Sequence, residues 1–356
     1  MNSTLLFKPR DCFRTLKDFL DYLKKENFTF KVSENSCLEK KWQELDFPLS
    51  SSFENPSPKN FCYHLKNGEV SADWGLVFRD LKKSTSLASH ELGVDYPEAA
   101  LDLLLRKLAP EEWTGTPQEI QKLSQNYSHV KAETNVVIGP DCEIAEGVVL
   151  EAGVRVGARV KIGLGTRIGC GSRIADDTII GNNCYFRGPV SLGGQGFGFI
   201  KYPQSSFPHH RIHVGRVVVG DGVRLGSFVG IDRGVLEDTV IGDFSATDNV
   251  VQIGHNCRLG KHNILCGLVG LAGSTIMGDF VTLGGLVVSK GHLTVGNQVQ
   301  VGGFSAIGSD VQAGSQLRGV PARPIRRDLK IMAIQDKLPE LYAVMKEALK
   351  GQKVDL

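Results

Sequence analysis

Between Thr239 and Ser315 an aliphatic residue returns at every sixth position: Ile241, Ile253, Leu259, Leu265, Leu271, Met277, Leu283, Val295, Val301 and Ile307, with Thr247 and Ser289 as the two polar members of the row. A helix repeats every 3.6 residues and an alternating strand every two, so a strict six points to a hexapeptide solenoid, a parallel β-helix with three six-residue sides per coil. Strands of successive coils then lie roughly 4.8 Å apart, and residues i and i+18 become stacked neighbours. Above His255 the stacked positions are Gly273 and Gly291, so the face beside that imidazole carries no side chains, and His292 follows one residue later. Both polar lapses fall beside residues capable of chemistry: Thr247 precedes Asp248, and Ser289 stands three residues before His292.

An earlier block of hexads runs from Ile138 through Ile144, Leu150, Val156, Ile162, Ile168, Ile174, Ile180 and Phe186 to Leu192. Glycines at 139, 157, 163, 169, 181 and 193 follow the inward residue, where the chain is expected to turn through positive φ. The period then fails from Gly194 to Arg216, a glycine-rich, aromatic and basic stretch that should leave the prism as a loop, and such excursions are often binding elements. Hexads resume at Val219, Leu225 and Ile231, but the next inward residue is Ile241, so four extra residues within IDRGVLED form a bulge or short loop.

The first 128 residues contain no hexad. They mix helical patterns (Phe19, Leu20 and Leu23; Ala99 to Leu108) with strand candidates such as residues 76–78, a Ser- and Pro-rich loop from Pro48 to Lys59, and a linker at 110–119. After Ala313 the repeat ends, two prolines intervene, and a helical segment is expected from Asp328 to Lys350, with Pro339 opening its second helix. The expected fold is mainly β: an α/β domain over 1–128, a parallel β-helix over 129–316 and a helical segment over 317–356.

Lys plus Arg (41) nearly balance Asp plus Glu (39) in 356 residues, which gives no sign of nucleic-acid binding. No segment approaches the roughly 18 apolar residues of a membrane span, and the first residues lack the apolar run of a signal peptide, so the expected location is the cytoplasm. Eight scattered cysteines without C-x-x-C spacing read as reduced thiols. His209, His210 and His213 have no carboxylate or cysteine at ligand spacing, so they read as part of a basic loop and no metal is expected. Arg318, Arg323, Arg326, Arg327 and Lys330 against Asp328 leave a local charge of +4, a surface suited to an acidic partner.

IDRG at 231–234, DNVVQIGHN at 248–256, GLAGS at 270–274, KGH at 290–292 and GFGF at 196–199 together resemble UDP-3-O-acylglucosamine N-acyltransferases, over residues 130 to 325. The resemblance implies a left-handed β-helix, a homotrimer with sites between subunits, and transfer of a 3-hydroxyacyl chain from acyl carrier protein, on its phosphopantetheine arm, to the 2-amine of a UDP-sugar without any other cofactor. Matched residue by residue, it makes His255 the general base, Asp248 the carboxylate that orients it, Gly273 the oxyanion donor and His292 a histidine near the nucleotide phosphates. Asn249 and Asn256 read equally well as internal ladder residues or as ligands. The N-terminal domain departs from the family, in which aromatics of a uridine-binding module hold the uracil: the corresponding region is compressed here to PSPKNFCYHLKNG at 56–68, where Phe61 and Tyr63 are the candidate nucleotide contacts.

Other readings remain at this stage. One is the related O-acyltransferase or an acetyl-CoA-dependent acetyltransferase on another nucleotide-linked amino sugar. A second is a zinc carbonic anhydrase on the same prism, which requires three converging histidines from His255, His262 and His292. A third is a non-catalytic scaffold, which gives no reason for polar residues in the inward row beside His255 and His292.

Overall fold

The computed structural model describes residues 127–348 except Gln204 and, ahead of them, residues 24–25, a five-stranded sheet, a helix and a few linker residues. The sheet contains β1 (Phe30–Val32), β2 (Leu49–Ser50), β3 (Phe61–Tyr63), β4 (Val77–Asp80) and β5 (Glu91–Val94) in the order β1-β5-β4-β3-β2, with only the β1–β5 pair antiparallel. Helix α1 (Pro97–Leu108) follows β5 and buries Ala99, Ala100, Leu101, Leu104 and Leu105, the face that the apolar spacing predicts. Part of the loop expected from Pro48 to Lys59 is instead strand, because Leu49–Ser50 pairs in parallel with Phe61–Cys62; a two-residue edge strand is set by its partner rather than by local propensity. The helical pattern at Phe19, Leu20 and Leu23 and most of the 110–119 linker lie outside the described residues.

From Lys131 the chain winds into a parallel β-helix whose three sides are parallel sheets, and strand pairs such as Gly230–Gln252, Gln252–Gly270 and Gly270–Val288 show the stacking of one coil on the next. Every inward position named above is buried, including Thr247 and Ser289. Hydrogen bonds within and between coils satisfy the polar members of the interior, as when Asn263 donates to the Gly260 carbonyl of its own coil and accepts from Val281 N–H of the next. The sequence period left a second inward row unread. Two residues before many members of the first row stands another buried residue, such as Val251, Cys257, Val269, Val281 and Val287.

The glycines after the inward residue need a correction. Positive φ falls two residues later, at positions such as Asp141, Gly147, Asn256 and His292, whereas Gly139, Gly157, Gly163, Gly169 and Gly181 lie outside that region and only Gly193 turns as expected. Glycine is required there by the closeness of the next coil: a Cβ on Gly139 would stand 2.5 Å from the Gly157 carbonyl carbon.

The break at 194–216 is an excursion that contains a short hairpin, with Phe199–Ile200 antiparallel to His209–His210. It docks on α1 through buried Asp102, which accepts from the Tyr202 hydroxyl, from Arg106 Nε (2.6 Å) and from Ile212 N–H (2.8 Å). Burial and the Asp102 charge push the Tyr202 phenol well above its ordinary pKa. A cleft of about 1000 Å³ opens between α1 and the hairpin, lined by Arg106, Gln195, Tyr202, His209 and His210 among others. At the far end of the chain, α2 (Ile325–Gln335) and α3 (Leu338–Ala348) close the fold. α2 starts three residues earlier than the expected segment, directly after Pro324, whose extended backbone serves as its N-cap.

Candidate active site

Three corners run along the prism. His255, Gly273, Gly291 and His292 share the corner between the nine- and eight-stranded sheets, since His255 follows the strand Gln252–Ile253 and precedes Arg258–Leu259. Stacking brings the imidazole directly over Gly273, where a Cβ would lie 2.6 Å from His255 Nε2. Only glycine leaves that ring its place.

The tautomer of His255 follows from its neighbour. Asn256 Oδ1 accepts from Val235 N–H (2.9 Å) while its Nδ2 donates to the Glu237 carbonyl (3.4 Å), which fixes the amide's orientation. His255 Nδ1 stands 3.1 Å from that same Oδ1, so Nδ1 carries the proton and donates, and Nε2 keeps a lone pair beside Gly273. This is the protonation pattern a general base needs.

The Gly273 turn is braced from three directions. Ala272 N–H donates to Ser289 Oγ (3.3 Å), Ser274 N–H donates to the His255 carbonyl (2.8 Å), and His292 N–H donates to the Gly273 carbonyl (3.1 Å). The polar lapse at Ser289 therefore serves this turn. Among the described residues no acceptor takes the Gly273 N–H, which is left as a fixed donor next to the His255 lone pair.

Sequence reasoning left one contributor open and missed two. Asn256, read there as a ladder residue or a ligand, orients the base. Asp232, on the preceding coil in IDRG, is near enough for His255 to act on its titration; burial raises its pKa, partly offset by a hydrogen bond from Gln252 and by His255. His213, buried at 1% exposure, packs edge-on against His255 with ring centroids 5.1 Å apart. Its signal was weak because it reaches the site only through the excursion. Cys257 is no nucleophile: its thiol is buried, donates to the Ala272 carbonyl (3.3 Å), and is pushed up to about 11 by burial.

Other candidates lie apart. Asp248 and Asn249 occupy the opposite edge of the nine-stranded side, and no hydrogen bond or ion pair joins Asp248 to His255 within the chain. Asn249 Oδ1 caps Ser227 N–H (2.9 Å) as a ladder residue. His292 is exposed, one residue past Gly291 and two coils above Asn256. His262 sits on the third corner, stacked between Phe244 and Phe280 (5.2 and 4.8 Å), so the three histidines of a carbonic-anhydrase site do not converge. Among the described residues no cluster of His, Cys, Asp or Glu has metal-binding geometry, and no helix is long and apolar enough to cross a membrane. Phe61 and Tyr63 lie on β3, and their side-chain surroundings fall outside the described residues.

This chain is similar to UDP-3-O-acylglucosamine N-acyltransferases. The Leptospira biflexa protein of that name is 48% identical over 103 residues, 29% of this chain and 28% of that one. Its Agrobacterium fabrum counterpart is 47% identical over 155 residues (44% and 43%), and that of Methylobacterium nodulans 38% over 175 residues (46% and 47%). The chain thus spans less than half the length of these curated relatives. No family model matches it. Among solved structures, LpxA from Acinetobacter baumannii aligns with a TM-score of 0.49 at 25% identity, covering 56% of this chain and 77% of that one.

Proposed function

We propose that this chain is an N-acyltransferase that moves a 3-hydroxyacyl group from the phosphopantetheine arm of acyl carrier protein to the 2-amine of a UDP-3-acylated glucosamine, a step of lipid A biosynthesis. One observation carries the reading: the Nε2 lone pair of His255 lies beside the unclaimed N–H of Gly273 on a corner without side chains. The activity for which the Leptospira biflexa and Methylobacterium nodulans relatives are named is consistent with it.

In the reaction, the amine nitrogen attacks the thioester carbonyl while His255 Nε2 takes one of its protons. The oxyanion is held by Gly273 N–H. Collapse breaks the C–S bond, and the proton on Nε2 passes to the departing thiolate, which leaves an amide and a free thiol. The imidazolium formed in between is stabilised by the half-buried Asp232 and by the Asn256 carbonyl oxygen on Nδ1.

The acting form is a homotrimer in which Asp248 serves the His255 of a neighbouring subunit, since its own His255 stands at the other edge of the same side. His292 lies along the acceptor's path near the phosphates, and Phe61 and Tyr63 are the proposed base contacts. The exposed Arg326, Arg327 and Lys330 on α2 receive the acidic carrier, and the proposed setting of the reaction is the cytoplasm. The test is mass spectrometry of products from the purified protein, given hydroxyacyl carrier proteins and a panel of UDP-sugars. A product that gains one hydroxyacyl group and keeps it under mild alkali is the expected amide, whereas loss of the group under alkali identifies an ester and favours the O-acyltransferase.

A further inference from the structure

His213 has no part in the chemistry described above, yet it is built into the site with unusual care. Its backbone is pinned on both sides by Gln195: His213 N–H donates to Oε1 (2.8 Å) and Gln195 Nε2 donates to the His213 carbonyl (3.2 Å). One residue before it, Ile212 N–H donates to Asp102 on α1 (2.8 Å), and one after it, Val214 N–H donates to the Val235 carbonyl (2.9 Å). The ring is fixed as well. Nδ1 lies 3.0 Å from the Arg211 carbonyl oxygen, which can only accept, so Nδ1 carries the proton and Nε2 bears the lone pair.

That Nε2 is buried and has no hydrogen-bond partner. An unpaired buried acceptor is a stability cost that a carbon atom in its place would not carry. Gly196 places that nitrogen near the base: a Cβ there would stand 2.9 Å from His213 Nε2 and 3.0 Å from His255 Cβ, so Nε2 lies no more than about 6 Å from His255 Cβ.

We propose that His213 is a positioning residue that acts through His255: its locked ring walls the imidazole into the slot against Gly273, and its buried lone pair is aimed at the positive charge which that imidazole acquires on taking the proton. This rests on His255 being the general base. A dipole set in advance toward developing charge costs no reorganisation during the reaction. Burial and the neighbouring histidine push His213 down to about 4, so it stays neutral near pH 7 and adds no competing charge. The other titratable groups facing the pair are Arg211 and His210 on the hairpin's return strand and Asp232 on the coil before His255.

The test is the pH profile of kcat/KM for His213→Phe, which keeps a ring and lacks the nitrogen, in the full-length protein with carrier-bound donor. His213→Asn, which keeps a donor for the Arg211 carbonyl and also lacks Nε2, serves if the Phe variant does not fold. The expected result is kcat lower by about tenfold, KM within about twofold, and the acid limb moved to lower pH by about half a unit. A limb that stays at its wild-type position overturns the proposal whatever happens to kcat, because lost packing alone does not move it. His255→Ala separates the two levels: wild-type turnover there sinks the base assignment and this proposal with it, whereas an inactive His255→Ala beside an unmoved limb in His213→Phe sinks this proposal alone.

Discussion

Gly273→Ala sets a single methyl group against the base. The backbone of Gly273 lies outside the positive-φ region, so alanine adds no backbone strain, and the N–H offered to the oxyanion is retained. What changes is one methyl group, standing 2.6 Å from His255 Cε1 and Nε2 and 3.0 Å from Cδ2. Ordinary contact begins near 3.4 Å, so the ring must retreat by about 0.8 Å. It can do so because it is half-buried and open on one side. Misplacing a reacting group by about 1 Å costs on the order of 10²-fold in rate, or about 2.7 kcal/mol at 1.36 kcal/mol per decade. Steady-state kinetics should therefore give a kcat about 10²-fold lower, with the melting temperature and oligomeric state unchanged. A kcat within threefold of wild type would mean that the position of His255 over Gly273 is not what the reaction uses.

Three further outcomes follow from the same structure. Mixing inactive His255→Ala chains with Asp248→Ala chains should restore activity after subunit exchange, because some boundaries in a mixed trimer regain both native residues; no recovery, or a monomer mass by light scattering, counts against the shared site. Reversing Arg326 and Arg327 to Glu should raise KM for the carrier at low salt with little change in kcat, and an unchanged KM argues against docking on α2. His213 makes stability depend on pH: its folded pKa is lowered from 6.5 to about 4, so its contribution is complete above pH 6.5 and is lost as pH falls through 4. At 1.36 kcal/mol per unit this is about 3 kcal/mol, and urea titrations of His213→Phe should show that much less acid sensitivity than wild type.

The hexads made the prism, its stacking and the placement of Gly273 over His255 legible, because period six and i+18 adjacency are fixed by geometry alone. The same rule was applied too simply to glycine: Gly139 and its kin answer to the neighbouring coil's backbone, a contact that no single hexad displays. The excursion at 194–216 was visible as a failure of the period, but its return to the site was not. His213 reaches His255 only because Gln195 and Asp102 fold the segment back, and Asp102 belongs to α1, a helix that precedes the repeats. Asp232 and Asn256 were hidden differently. Both lie inside motifs quoted for their resemblance, yet their roles depend on which oxygen faces Val235 N–H and which carboxylate the coil buries.

The most direct measurement is kcat of His255→Ala against wild type, with UDP-3-acylated glucosamine and a hydroxyacyl carrier protein, on samples matched for melting temperature and trimer mass. Removal of a general base costs about 10² to 10⁴ in rate, so turnover should fall by that order while the assembly is unchanged. A His255→Ala enzyme within threefold of wild-type kcat would show that the amine's proton leaves by another route, and would contradict the account built on Nε2 and Gly273.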